Sequence, residues 1–190
     1  MIAYPTGSEG DGPLFKHMRP SLTNERRFPS LENLANGNRN SFEILPQVAR
    51  TVNFIGFVRD NHLETGRSAA HNFALTVNAD CDSFAFTNLL TADTLIADGN
   101  NAVTLNWSTA SCVYNGNVNI RFSTDGGLSY PYLLVSNTPN DGSEDIIVPA
   151  FQTNRGRFML EASDHILFNI NKADITIKNI GDCIAKGTVI

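Results

Sequence analysis

Two polar loops carry the side chains of this sequence that are best suited to binding a metal ion. They are residues 125–127 and 140–144, and each combines acidic or amide side chains with glycine. Calcium prefers carboxylate and carbonyl oxygens presented by loops, so Asp125, Asp141 and Glu144 are the candidate ligands. Neither loop has the spacing of an EF-hand, and Asp or Asn beside Gly is also what tight turns require. The sequence therefore leaves a calcium site and ordinary turn chemistry as alternatives.

No pattern in the sequence indicates a catalytic centre. A zinc-binding helix of the H-E-x-x-H type and a G-x-S-x-G nucleophile turn are both missing from it. No glycine-rich loop precedes a helix that could hold phosphate. The histidines are scattered singly along the chain, at His17, His62, His71 and His165. We therefore predict that this chain has no catalytic residue, no cofactor and no enzymatic activity of its own.

Short strands separated by turns would position the two loops. Val118, Ile120 and Phe122 alternate with polar residues, which is the period of a strand with one buried face. Trp107 ends a similar run, and we expect it to lie in the core between two sheets. The predicted strands cover 83–86, 94–96, 103–107, 118–122, 132–135, 146–148, 158–162 and 166–177, with turns at 98–100, 115–116, 125–127, 141–142 and 154–156. This spacing is typical of a β-sandwich.

The first part of the chain has fewer strand signals. We predict strands over 48–59 and 68–77 and a short helix over 30–34. Ile55 and Phe57 make the second face of the first strand apolar as well, so we expect that strand to be central in its sheet. Few strands precede residue 78, and a free-standing sandwich needs more. We therefore expect the opening strands of this domain to lie outside the given chain.

Composition and charge exclude several classes of partner. The chain has 190 residues, of which 42% are hydrophobic and 17% charged, and its net charge is −5. A nucleic-acid-binding protein needs a basic stripe, so we predict no nucleic-acid partner. The local basic cluster of Arg19, Arg26 and Arg27 is interpreted as a solvated strand edge. No apolar run is long enough to cross a membrane and no signal peptide is recognised, so we predict no membrane insertion.

Several motifs together resemble a known family. The early part contains GPLFKHMRPSLTNERRFPSLENL followed by EILPQVARTVNFIGFVRDN, which resembles the latter part of a PKD-like domain. AVTLNWSTA, the STDGG and NTPNDGSE turns, and RGRFMLEASDHILFNINKADITI resemble the Ig-like module that follows it. The tandem is similar to the C-terminal, non-catalytic region of secreted bacterial zinc metallopeptidases of the reprolysin-like type. The resemblance extends to about residue 177.

The resemblance implies a domain organisation and a function. It implies the end of a PKD-like domain over 1–78, an Ig-like (fibronectin-type) antiparallel β-sandwich over 79–180, and a tail or linker over 181–190. The chain would then be a secreted or cell-surface accessory region that spaces, targets or binds for an upstream catalytic domain of the same protein. The alternative is an adhesion or glycan-binding module of a non-enzymatic surface protein, for which Tyr114, Tyr130 and Tyr132 are candidate sugar contacts. The sequence does not decide between them.

The resemblance also implies a disulfide bond. A secreted chain meets an oxidising compartment, where paired cysteines are expected. In an Ig-like arrangement the loop that contains Cys112 returns to the end of the sandwich at which Cys81 enters, whereas Cys183 should emerge at the opposite end. Cys81 and Cys112 are therefore the expected pair, and three reduced thiols are the alternative.

Overall fold

The computed structural model of the chain is almost entirely β-structure, as the sequence predicts. It describes residues 5–17, 19–20, 22, 25–37, 43–164 and 166–179. Its elements are α1 (Leu31–Ala35), β1 (Arg50–Arg59), β2 (Ser68–Val77), β3 (Ala85–Phe86), β4 (Asp93–Ala97), β5 (Ala102–Ser108), β6 (Asn117–Ser123), β7 (Tyr132–Pro139), β8 (Ser143–Ile147), β9 (Thr153–Ala162), β10 (Phe168–Ile170) and β11 (Ile175–Asn179). The predicted tail over 181–190 lies outside the described residues.

The chain divides into two compact units. The first unit contains Met1–Pro20 and Ser41–Asp80, and the second contains Ser21–Asn40 and Cys81–Ile190. The later boundary lies close to the predicted one at residue 78. The sequence prediction places 21–40 in the first domain, whereas the structure groups this stretch with the second unit. The reason lies in contacts made by residues 25–37, which are described below.

The first unit is built on a long hairpin. Strands β1 and β2 pair antiparallel over their whole length, from Arg50 opposite Val77 to Arg59 opposite Ser68. Among the described residues β1 pairs only with β2, so the expectation that β1 is a central strand is wrong here. The outer half of the hairpin carries large apolar side chains on both faces, and Ile55 is 72% exposed. Apolar residues on both faces of a strand are compatible with a central position in a sheet, but they do not require it.

The second unit is a two-sheet, sandwich-like structure. The larger sheet has the strand order β4-β11-β9-β6-β7, with β10 also paired to β9, and the smaller sheet has the order β3-β5-β8. Alternate residues of each strand point into the space between the sheets, as the period of two requires. The core side chains include Leu105, Trp107, Val118, Ile120, Phe122, Ile146, Phe158, Leu160, Ile175 and Ile177. Trp107 is buried between the sheets as predicted.

One strand pair departs from the predicted antiparallel arrangement. β11 pairs in parallel with β4, with Ile175 opposite Asp93 and Asn179 opposite Ala97. The other strand pairs in the described part of the chain are antiparallel. The larger sheet is therefore mixed. Its last strand along the chain, β11, lies between β9 and the edge strand β4. Local sequence patterns do not encode this pairing of β11 with β4.

β7 extends to Pro139 and β8 begins at Ser143, so both strands are longer than predicted, and two further predictions need correction near β9. The predicted turn at 154–156 lies inside β9. Gly156 serves close packing and not a turn, since a Cβ atom at this position would lie 2.8 Å from the Ile175 carbonyl oxygen and 2.9 Å from the Phe122 ring. The single strand predicted over 166–177 is instead β10 and β11. The buried Asn171 separates them, since its side chain accepts a hydrogen bond from Phe158 N at 2.7 Å and donates to Ala173 O at 2.6 Å.

Residues 25–37, which we call the cover segment, lie on the outer face of the larger sheet. Ser30 begins α1 as predicted, and its hydroxyl accepts a hydrogen bond from Asn33 N. Leu31 and Leu34 of the helix then pack against a small second cluster of buried side chains, which consists of Tyr130, Met159 and Ile170. Both faces of the larger sheet are consequently covered in this region, the inner face by the main core and the outer face by the cover segment.

Candidate functional site

Asp125, the first calcium candidate, is occupied in holding its own turn. Its carboxylate accepts hydrogen bonds from the hydroxyls of Ser123 and Ser129, both at 2.6 Å, and from the backbone N–H groups of Leu128 and Ser129. Burial alone would raise the pKa of Asp125, but these donors outweigh it and lower the pKa to about 2. The carboxylate is thus ionised, and its lone pairs are directed at the turn.

Asp141 and Glu144, the other two candidates, lie at the opposite end of the sheet from Asp125. Asp125 lies in the turn after the end of β6. Asp141 lies in the turn after β7, whose last residue lies opposite the first residue of β6. A strand of seven residues is roughly 23 Å long. Asp141 accepts a hydrogen bond from Ser143 N, and Glu144 accepts one from the Thr138 hydroxyl. The structure does not bring the three candidate ligands together.

Other chemistry-bearing residues are also dispersed. In the part of the chain that the structure describes, no group of three or more His, Cys, Asp and Glu side chains is arranged to hold a metal ion. His62 lies in the hairpin loop and His71 in β2, while His165 lies outside the described residues. None of the described helices is long and apolar enough to cross a membrane.

Cys81 and Cys112 are joined by a disulfide bond in the structure, with their Cα atoms 5.9 Å apart. Cys81 lies in the loop before the short strand β3, and Cys112 lies in the turn between β5 and β6. Because β3 pairs with the end of β5, at Ala85 opposite Ser108, the two cysteines are brought to the same end of the smaller sheet. Cys183 lies outside the described residues.

The three candidate sugar-contacting tyrosines differ in exposure. Tyr114 is buried, and its hydroxyl donates to Asp164 Oδ1 at 2.8 Å, so it is not an exposed platform. Tyr130 is buried beneath the cover segment. Tyr132 is 36% exposed and its ring stacks on Phe151, with the centroids 4.1 Å apart. Only Tyr132 among them could therefore offer part of a ring to a sugar.

A charged cluster joins the cover segment to the larger sheet, and sequence reasoning missed it. Glu161 of β9 accepts a hydrogen bond from Arg121 Nε of β6 at 2.5 Å, and Arg27 Nη2 lies 3.5 Å from its other carboxylate oxygen. Arg27 also pairs with Glu25, donates from Nη1 to the sulfur of Met159 at 2.9 Å, and lies over an aromatic ring of β10. The interpretation of Arg27 as part of a solvated strand edge is therefore wrong.

An open cleft of about 610 Å³ lies beside this cluster, entirely within the second unit. Its lining combines apolar, aromatic and charged side chains, namely Leu22, Glu25, Arg27, Leu31, Arg121, Leu128, Ser129 and Tyr130. The Tyr130 hydroxyl is buried and has no hydrogen-bond partner among the described residues. Burial raises the pKa of Tyr130 far above its ordinary value, so this hydroxyl keeps its proton.

The sequence contains a signal that could have indicated this covered face. Phe158, Met159 and Leu160 are three consecutive apolar residues in one strand, so two of them face the main core and one faces the other way. Met159 is fully buried on that other face, which requires a covering element. What the sequence could not indicate is which segment provides the cover, because Arg27 and Glu161 are far apart along the chain.

Comparison of the sequence with family models gives no match, and comparison with curated proteins gives none either. The cleft and the motifs of the chain itself are therefore the basis for proposing a function.

Proposed function

We propose that this chain is a non-catalytic binding region of a secreted zinc metallopeptidase, in which it presents or retains protein substrate for a catalytic domain located upstream. It consists of a PKD-like segment followed by an Ig-like β-sandwich. The chain itself performs no chemistry. Its contribution to the parent protein is to hold a ligand on a rigid β-scaffold.

The observation that carries this proposal is the cleft of the second unit. It combines two guanidinium groups, those of Arg27 and Arg121, with the aliphatic side chains of Leu31 and Leu128. A few polar groups that fix orientation beside an apolar surface are typical of binding sites. The polar loop residue Asp125, by contrast, is occupied by internal hydrogen bonds. The polar and apolar groups available for binding a ligand therefore lie at the cleft.

The motifs support the connection to a peptidase. The STDGG turn folds as a tight reversal after β6, with Gly126 and Gly127 both at positive φ, where glycine is favoured. The order of this turn, the NTPNDGSE segment and β9 is the one that resembles the accessory module. Binding modules of this kind occur in many proteins, so the resemblance supports the module more strongly than it supports the parent enzyme.

The proposal is tested by the coding sequence upstream and by an activity assay. We expect the upstream reading frame to encode H-E-x-x-H-x-x-G-x-x-H, and we expect the purified chain to leave casein intact in the presence of zinc. Casein cleavage by the pure chain that a chelator abolishes would contradict the non-catalytic role. An upstream frame composed of further β-repeats would contradict the peptidase parent and favour the adhesin.

The alternative is a glycan-binding module of an adhesin, and Tyr132 is the observation that favours it. Its ring is partly exposed and held by stacking on Phe151, and Leu133, the next residue of the edge strand β7, is 47% exposed. Sugars bind proteins by stacking on such held rings. The upstream sequence distinguishes this parent from a peptidase.

A further inference from the structure

We propose that the cleft between the cover segment and the larger sheet binds the C-terminal end of a peptide, with the free α-carboxylate on Arg121 and an aliphatic last side chain against Leu31 and Leu128. This inference deepens the proposed function, on which it rests, by naming the ligand class of the site. Peptides with new C-termini are what a peptidase releases from a protein substrate, so such a site would retain cleaved substrate.

Arg121 supplies the anion-binding group. Of its nitrogen atoms, only Nε has a hydrogen-bond partner among the described residues, and this partner is Glu161. The two terminal nitrogens therefore keep their donors, in a side chain that is 32% exposed and lines the cleft. A guanidinium binds a carboxylate best through two parallel N–H bonds, and the terminal nitrogens can provide such a pair. Glu161 holds the guanidinium in place from the other side.

The neighbouring side chains supply the apolar half of the site. Leu128 is 47% exposed at the cleft, and Leu31 is partly buried in the cover segment beside it. Tyr130 also lines the cleft, and its hydroxyl is withdrawn from solvent. An aliphatic side chain that enters the cleft would remove apolar surface from water on both molecules, which is favourable.

The charges around the cleft favour a ligand group with one negative charge over a group with two. Two guanidiniums, Arg27 and Arg121, face two carboxylates, Glu25 and Glu161, so the cluster is close to neutral. Glu161 is only 17% exposed and lies between the two arginines, where it would repel a dianion. Glu25 is 61% exposed and pairs with Arg27, so the terminal nitrogens of Arg121 are left to the ligand carboxylate. A carboxylate therefore fits better than a phosphate.

The test uses two peptides that differ at one group. Acetyl-Ala-Ala-Leu with a free C-terminal carboxylate and the same peptide with a C-terminal amide are titrated into the ¹⁵N-labelled full chain, and NMR spectra are recorded. We expect the free acid to shift the Arg121 side-chain Nε–H signal and the Leu128 to Tyr130 amide signals, with a Kd of about 1 mM. We expect the amide to bind at least about tenfold more weakly, because it cannot form the charged pair.

Three variants locate the site. Arg121→Gln removes the guanidinium, and Leu128→Glu places a negative charge at an exposed position where folding is not at risk. Each substitution should raise the Kd of the free-acid peptide about tenfold or more. Arg155→Gln is the matched control, because Arg155 is an exposed arginine of the same sheet that does not line the cleft. It should leave the affinity unchanged.

Three outcomes would overturn the proposal. They are equal binding of the acid and the amide, unchanged affinity in both cleft variants, and the same signal shifts with inorganic phosphate at equal concentration, which would indicate a general anion site. Because the titration does not involve an upstream domain, each of these outcomes leaves the upstream-sequence test of the proposed function standing.

Discussion

The side chains of Asp125 and Asp141 occupy similar turns but have different roles. Both precede glycine in a polar loop, which is why both were candidate calcium ligands. Asp125 accepts four hydrogen bonds from its own turn, whereas Asp141 accepts one weak bond, from Ser143 N at 3.3 Å. Both positions carry the same Asp-Gly motif. The difference arises because two serine hydroxyls and two backbone N–H groups lie within reach of Asp125, whereas one backbone N–H group lies within reach of Asp141.

We expect Asp125→Ala to lower the free energy of unfolding by about 2 kcal/mol, because several charge-assisted hydrogen bonds are lost and their donors remain partly buried. The matched control Asp141→Ala should change it by less than about 0.5 kcal/mol. Urea unfolding at pH 7, followed by tryptophan fluorescence, measures both values. Equal effects of the two substitutions would show that Asp125 does not hold the turn.

The contribution of Asp125 should also depend on pH. Its pKa is about 2 in the folded chain and close to 4 when unfolded, so the stabilisation is complete above pH 4 and is lost as the pH falls towards 2. The wild-type chain should therefore lose more stability than Asp125→Ala over this interval. Parallel unfolding midpoints between pH 4 and 2 would contradict the lowered pKa.

At the scale of elements, the disulfide links the loop before β3 to the turn after β5. We expect non-reducing peptide mapping to recover the segments around Cys81 and Cys112 as one linked species. On the chain-entropy estimate a bridge over 31 residues stabilises the fold by roughly 3–4 kcal/mol, so the double variant C81S/C112S should be destabilised by about this amount. C183S is the matched control and should leave the linked species in place. Alkylation of Cys81 and Cys112 without reductant would contradict the bridge.

Elements with strong local signals were predictable from the sequence, and elements defined by distant contacts were not. The alternation of Val118, Ile120 and Phe122 predicts β6 because it reports the local burial of one face. The parallel pairing of β11 with β4 and the docking of the cover segment depend on residues far apart in sequence, so no local pattern encodes them. For the cleft, the sequence shows the charge of Arg27, but it does not show that Arg27 pairs with Glu161.

At the scale of the whole molecule, the two units differ in how their strands are supported. In the first unit β1 and β2 form a two-stranded sheet whose outer half has exposed side chains, an arrangement that is marginally stable in water by itself. In the second unit β6 and β9 lie between neighbouring strands and carry fully buried side chains. Local opening should therefore be easier in the hairpin.

We expect amide hydrogen exchange to be at least about tenfold faster in β1 and β2 than in β6 and β9, because fewer buried contacts resist opening of the hairpin. Mass spectrometry of peptides from 50–77 and 103–177 measures this difference. Equal or greater protection of the hairpin would contradict the ranking. If protection of the hairpin rises with protein concentration, self-association covers it.

The link between Cys81 and Cys112 also determines how the second unit responds to a pulling force. Tension applied to the chain on the N-terminal side of Cys81 passes through the sulfur atoms to Cys112 and bypasses the segment between the two cysteines. That segment, which contains β3, β4 and β5, carries no load even when the rest of the sandwich is unfolded and extended. At about 3.3 Å per extended residue, oxidation withholds roughly 100 Å of chain from extension. A tether made from this unit is therefore shorter and stiffer when oxidised than when reduced.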